Sequence, residues 1–155
     1  MMMKIRIFQA VVVTRLLYGL SSAWLSVAEV RRLNGFQAWC LRKVAGIKRS
    51  FVSRVSNATV LQKNSQKQLG EQLLKQQVLL YGKVARAQAG DMLRDLAFVP
   101  GTQQPTTDQY VRRVGRPRNE WAVMLRREAF KMSPQAETII HDRRLWQRVV
   151  EQYFE

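Results

Sequence analysis

Acidic residues are scarce in the first half of this chain. Residues 1–78 carry 13 Lys/Arg against two acids, Glu29 and Glu71, whereas residues 79–155 carry 13 against nine, and the whole chain has a formal charge of +15. A solvated surface ordinarily interleaves both signs, so a half that barely has a second sign is read as a contact surface for a polyanion. Cysteine and histidine are almost missing as well. With Cys40 and His141 as single copies, an intrachain disulfide and a Cys/His metal finger are both excluded. Cys40 is read as a small core residue and His141 as a surface or capping residue. The four aspartates, Asp91, Asp95, Asp108 and Asp142, lie outside the basic half, and only Asp91 and Asp95 share helical spacing. That leaves no converging carboxylates for metal-ion catalysis. A phosphate-cradling glycine loop, a Ser/His/Asp set and a nucleophile with an adjacent base are also absent from the sequence. The expectation is a binder that uses no metal and no cofactor, and not an enzyme.

Uninterrupted apolar runs are lacking too. Residues 10–28, AVVVTRLLYGLSSAWLSVA, are long enough for a membrane span or a signal segment, but Arg15 sits near the centre and Gly19, Ser21 and Ser22 dilute the rest. A mid-span arginine costs about 2.5–3.5 kcal/mol on insertion scales. No membrane partner is expected; a basic amphipathic helix lying on a membrane surface, over residues 1–28, is the remaining membrane alternative.

Helical periodicity is what the chain has in quantity. From Lys4 to Leu17, Ile5, Phe8, Val12 and Leu16 recur at spacings of three and four. Tyr18-Gly19 is expected to end this helix, with Gly19 as a left-handed C′ residue and Leu17, Tyr18 and Trp24 packed at the corner. Ser26 to Glu29 fits a capping box for a second helix. Its buried side is read as Val30, Leu33, Phe36, Cys40 and Val44, its stop as Gly46, and Arg31, Arg32, Arg42 and Lys43 ride on other faces. Residues 48–56 form a basic connection to a short helix capped by Ser56-Asn57. A capping box at Ser65 to Gln68 opens a third long helix to about Ala89, and Asp91 caps a short turn through Leu96. Residues 100–118 hold three of the four prolines and read as a loop or linker ending in the arginine-dense VRRVGRPR. Beyond it, Asn119 caps a helix with Trp121, Met124 and Leu125 buried, Ser133-Pro134 starts the next, and a last helix holds Leu145, Trp146, Val149 and Val150. The expected fold is all-α, a small bundle of about five to seven helices with a basic Pro/Gly-containing linker, divided as 1–98, 99–118 and 119–155.

Four elements in order, over roughly 120 residues, resemble the region C-terminal to the polymerase core in non-LTR (LINE-type) retrotransposon reverse transcriptases. They are KIRIFQAVVVTRLLYGLSSAW, VRRLNGFQAWCLRKVAGIKRSFVSRVSN, QLLKQQVLLYGKVAR and VGRPRNEW. Tyr18, Gly19 and Trp24 match the first family element. Leu33, Phe36, Cys40, Leu41, Arg42, Gly46 and Ile47 match the second, Gly82 and Arg86 the third, and Gly115, Arg116, Pro117, Arg118 and Trp121 the fourth. Ser21-Ser22-Ala23 stands where the family has Ser-Glu-Thr, and Gly82-Lys83 where it has Gly-His. The resemblance implies a helical thumb-like domain over 1–98 and the segment after it, which hold template–primer duplex while a palm, absent from this chain, performs RNA-directed DNA polymerisation. It also implies a fragment and a nuclear location. The implied partners are the backbone phosphates of RNA or DNA, and the palm of a full-length enzyme. The residues expected to contact phosphates are Arg31, Arg32, Arg42, Lys43, Lys48, Arg49 and Arg54, then Arg112, Arg113, Arg116 and Arg118. The alternative is a non-functional structural remnant whose buried surface packs on the missing core.

Overall fold

The N-terminal stretch contains no proline, and it is helical throughout in the computed structural model, which describes residues 2–106 and 120–155. It runs as α1 (Met2–Ile7), a π-helical segment (Phe8–Val13) and α2 (Thr14–Leu20). A π turn bonds residue i to i+5 and so takes up one residue more than an α turn. Here the Thr14 amide and hydroxyl both donate to the Gln9 carbonyl five residues back. The burial pattern slips by one position as a result. Ile5, Phe8, Val13 and Leu17 are buried, and Val12 and Leu16, expected in the core, sit half-buried at its edge. Gly19 lies inside α2 without a positive φ, so the helix passes through it and ends at Ser21, whose hydroxyl donates to the Tyr18 carbonyl. Tyr18, expected to pack at the corner, is 84% exposed; Leu17 is buried and Trp24 half-buried, each within its own part of the chain.

Helix α3 (Val27–Ala45) starts as its sequence dictates. The Ser26 hydroxyl accepts from the Glu29 amide, the Glu29 carboxylate accepts from the Ser26 amide at 2.7 Å, and Gly46 closes the helix at φ 68°. A left-handed terminal residue suits glycine because a Cβ would be strained there. The buried side of α3 is Leu33, Gln37, Ala38, Leu41 and Arg42. Phe36, expected inside, is exposed, and Cys40 is half-buried; the inward line follows four-residue steps from Leu33 to Gln37 and Leu41 rather than the three-residue step to Phe36 read from the sequence.

The connection after α3 contains α4 (Ser50–Ser53), and α5 (Asn57–Lys63) follows, capped by the Ser56 hydroxyl on the Thr59 amide. Next comes α6 (Leu69–Ala85), which starts about three residues later and ends about four residues earlier than expected. The expected cap at Ser65 does not form, because Ser65 takes φ 51° and an N-cap residue needs an extended backbone. The caps come from α3 instead. Gln37 accepts from the Leu69 amide at 2.9 Å and donates to the Lys67 carbonyl at 2.8 Å, while Asn34 accepts from the Gly70 amide at 2.8 Å.

Asp91 caps α7 (Met92–Ala97), and residues 98–106 form a folded loop rather than a free linker. Phe98 is fully buried and pairs with Pro105 in an isolated antiparallel bridge, and the Thr106 hydroxyl donates to the Leu96 carbonyl. The rest of the expected linker, with Asp108, Arg112, Arg113, Gly115, Arg116, Pro117, Arg118 and the Asn119 cap, lies outside the described residues. Helices α8 (Trp121–Met132), α9 (Ala136–Ile139) and α10 (Arg143–Tyr153) complete the chain. The fold is all-α: among the described residues there is no strand, and six helices have seven residues or more.

Two compact units are distinguished: Met1–Ser21 with Leu25–Leu74, and Ser22–Trp24 with Lys75–Glu155. The division falls inside α6, because its first turns are tied to α3 whereas its later turns belong to a different core. In the first unit, Phe8, Val13, Leu17, Leu33, Leu41, Val60, Leu69 and Leu73 share one apolar cluster. In the second, Tyr81 packs edge-on to Phe98, with centroids 5.5 Å apart, and lies 6.2 Å from Trp121. The Trp146 indole N–H donates to the Val78 carbonyl, and the same ring lies so close to Gly82 that a Cβ there would collide with the indole nitrogen. Gln77 donates to the Ala23 carbonyl at 2.6 Å, which attaches the short segment 22–24 to this unit.

Candidate nucleic-acid interface

Helix α3 has a second pattern on its outward side. Arg32, Phe36, Trp39 and Lys43, spaced four, three and four, form an exposed line on the side away from Leu33, Gln37 and Leu41. Phe36 and Trp39 are stacked, with centroids 6.4 Å apart and planes inclined by 28°, and the Lys43 ammonium sits 5.9 Å from the Trp39 ring centroid. Trp39 keeps half of its surface in solvent, at 51%. This exposed aromatic pair is set among the cations Arg32 and Lys43.

Gly46 turns the chain at the end of α3 and brings Lys48 and Arg49 alongside this line. Trp39, Lys43, Ile47, Lys48, Arg49 and Val52 border a groove of about 320 Å³, with Arg42 at its base. Arg42 itself does not reach solvent. It is 6% exposed, and its guanidinium donates to the Val55 carbonyl at 2.6 Å, Asn57 Oδ1 at 3.1 Å, the Lys48 carbonyl at 3.3 Å and Ser53 Oγ at 3.4 Å. A buried cation is tolerable only when its N–H groups are satisfied in this way. Arg42 therefore leaves the set of expected phosphate contacts and becomes the residue that shapes the basic loop 48–57. The same loop contains Arg54 at φ 57°, a left-handed conformation that costs an L side chain of order 1 kcal/mol. The bonds from Arg42 to the residues on either side hold it there.

Electrostatically the surface is one-sided. Residues 30–70 include nine Lys/Arg and no acid. Of the flanking acids, Glu29 is occupied by its capping box: the Ser26 hydroxyl and amide bonds, with a smaller contribution from the Arg32 charge, hold its carboxyl below the usual range. Arg31, Arg32, Lys43, Lys48, Arg49 and Arg54 are exposed. They lie on α3 and the adjoining loop within the first unit. Phe36 and Trp39 had no place among the expected site residues; the spacing 32/36/39/43 was the available signal, hidden behind a different assignment of the buried side.

Burial pushes the Cys40 thiol up, which favours its neutral form. Among the described residues no group of three His, Cys, Asp or Glu gathers to hold a metal ion, and no helix is long and apolar enough to cross a membrane.

The class these features define is a small all-α protein with a basic, aromatic-lined helix face. Set against known proteins, the chain matches no family model, no curated protein and no solved structure.

Proposed function

We propose that this chain grips nucleic acid, in the manner of the thumb and following segment of a non-LTR retrotransposon reverse transcriptase, and leaves DNA synthesis to a polymerase palm. It holds template–primer duplex, RNA or DNA, through backbone phosphates with little base readout. The observation that carries this reading is the set of six exposed cations, Arg31, Arg32, Lys43, Lys48, Arg49 and Arg54, in a stretch without acids. Arg112, Arg113, Arg116 and Arg118 join the proposal on sequence alone, and a nuclear location and contact with a reverse transcriptase palm belong to the same proposal. The test is binding of a generic duplex to the full chain between 50 and 200 mM salt. Six phosphate contacts lead to a loss of roughly 10³ in affinity over that range. An affinity that barely moves with salt would sink the reading.

A second reading, a structural remnant that packs on a polymerase core, draws on Met92, Leu93 and Leu96 of α7, all strongly exposed. Aggregation on expression supports it. A soluble monomer with cooperative unfolding counts against it.

A further inference from the structure

Phosphate gripping gives no role to the aromatic pair on α3, because the bases of a continuous duplex have their π-faces covered by their neighbours. An unpaired base has a free face, and stacking on an exposed indole beside a basic track is how single strands are held without sequence preference. We propose that Trp39, backed by Phe36, is a stacking platform for an unpaired nucleotide, with Arg32 and Lys43 on the phosphates along the helix and Lys48 and Arg49 across the groove. The inference rests on the nucleic-acid reading above and adds its ligand: a single-stranded extension or gap next to the gripped duplex.

Three observations carry it. The two rings are already stacked on each other, so the platform needs no rearrangement. The adjoining groove of about 320 Å³ falls inside the range of roughly 300–1,000 Å³ occupied by small-ligand pockets, enough for one nucleotide. From Arg32 to Lys43 the helix rises roughly 16 Å, the length of about four to five stacked nucleotides, so cations stand at both ends of the aromatic pair.

The test compares a blunt duplex with the same duplex carrying a five-nucleotide unpaired extension that contains 2-aminopurine, using the full chain and its Trp39→Ala, Trp39→Phe and Lys43→Ala variants. The extension tightens binding to the unchanged chain, and its fluorescence shifts on binding. Trp39→Ala weakens the extended duplex about 5- to 100-fold, leaves the blunt duplex within about twofold, and abolishes the fluorescence change. Trp39→Phe keeps most of both signals, and Lys43→Ala lowers the salt slope on both ligands. A Trp39→Ala variant with an unchanged far-UV spectrum that binds both duplexes like the parent, or loses both equally, overturns the proposal. So does Trp39-dependent dimerisation in sedimentation, which would assign the face to a second copy of the chain. Salt-steep blunt binding with silent Trp39 variants defeats this inference alone. Absence of salt-dependent duplex binding defeats the reading beneath it.

Discussion

The two units of this chain handle charge in opposite ways. The first has Glu29 and Glu71 as its only acids, and its polar bonds include those of the neutral amides of half-buried Asn34 and buried Gln37 and Asn64, and of the buried guanidinium of Arg42. In the second, cations meet acids on the surface, as in Arg126 with Glu137 and Lys131 with Glu128, and the interior is aromatic, with Tyr81, Phe98 and Trp146 buried. Where both signs are present they neutralise one another locally. Where one sign is missing, the exposed cations are left for an external anion, and the architecture must be held by groups that do not compete for it.

The largest effect that separates the units is a truncation in the aromatic core. Trp146→Ala removes a fully buried ring and its bond to Val78, and is expected to cost about 3–5 kcal/mol in urea unfolding followed by circular dichroism, with duplex affinity unchanged in what remains folded. Arg42→Met in the first unit keeps the apolar stem and strips four bonds from the loop. About 2–3 kcal/mol of stability and a measurable part of duplex affinity are lost together, which an electrostatic contact residue would not produce.

Alkaline pH acts on the second unit. Burial pushes the Tyr81 phenol from 10 up to about 12, the nearby Arg126 charge opposing and the Glu137 charge assisting. The neutral phenol is the form that the fold favours. Its contribution is complete below pH 10 and falls away as pH rises toward 12, by of order 2 kcal/mol at the upper end. A pH titration of stability should show this loss, and Tyr81→Phe should remove it. Gln37→Ala in the first unit uncaps α6 and costs about 1 kcal/mol in the same unfolding assay. Smallest for stability is Lys43→Ala: within about 0.5 kcal/mol of the parent, yet lowering the salt slope of duplex binding by about one unit.

Much of the fold was legible, because local chemistry decided it. The Ser26–Glu29 box, the Gly46 stop, and the Ser56 and Asp91 caps are set by residues adjacent to the backbone groups they satisfy. What escaped was set at a distance. No local pattern shows that α6 is capped by Asn34 and Gln37 from more than thirty residues away, or that Arg42 is turned inward by carbonyls at 48 and 55. The candidate interface was legible as charge and illegible as shape. Arg31, Arg32, Lys43, Lys48, Arg49 and Arg54 are exposed, while Phe36 was placed on the wrong side of α3 because an aromatic residue at helical spacing is ordinarily core.

The π segment makes the N-terminal helix a counting device. Gln9, Ala10 and Val11 are all exposed, so losing one of them would change neither charge pattern nor buried volume in any obvious way. Yet a deletion there would restore the four-residue ladder and rotate everything before it by about 100° about the helix axis. Ile5 and Phe8 would swing toward water, and the first two turns would come away from Leu33 and Leu41. The length of that wide turn, more than the identity of any residue in it, keeps the front of the chain in step with its core.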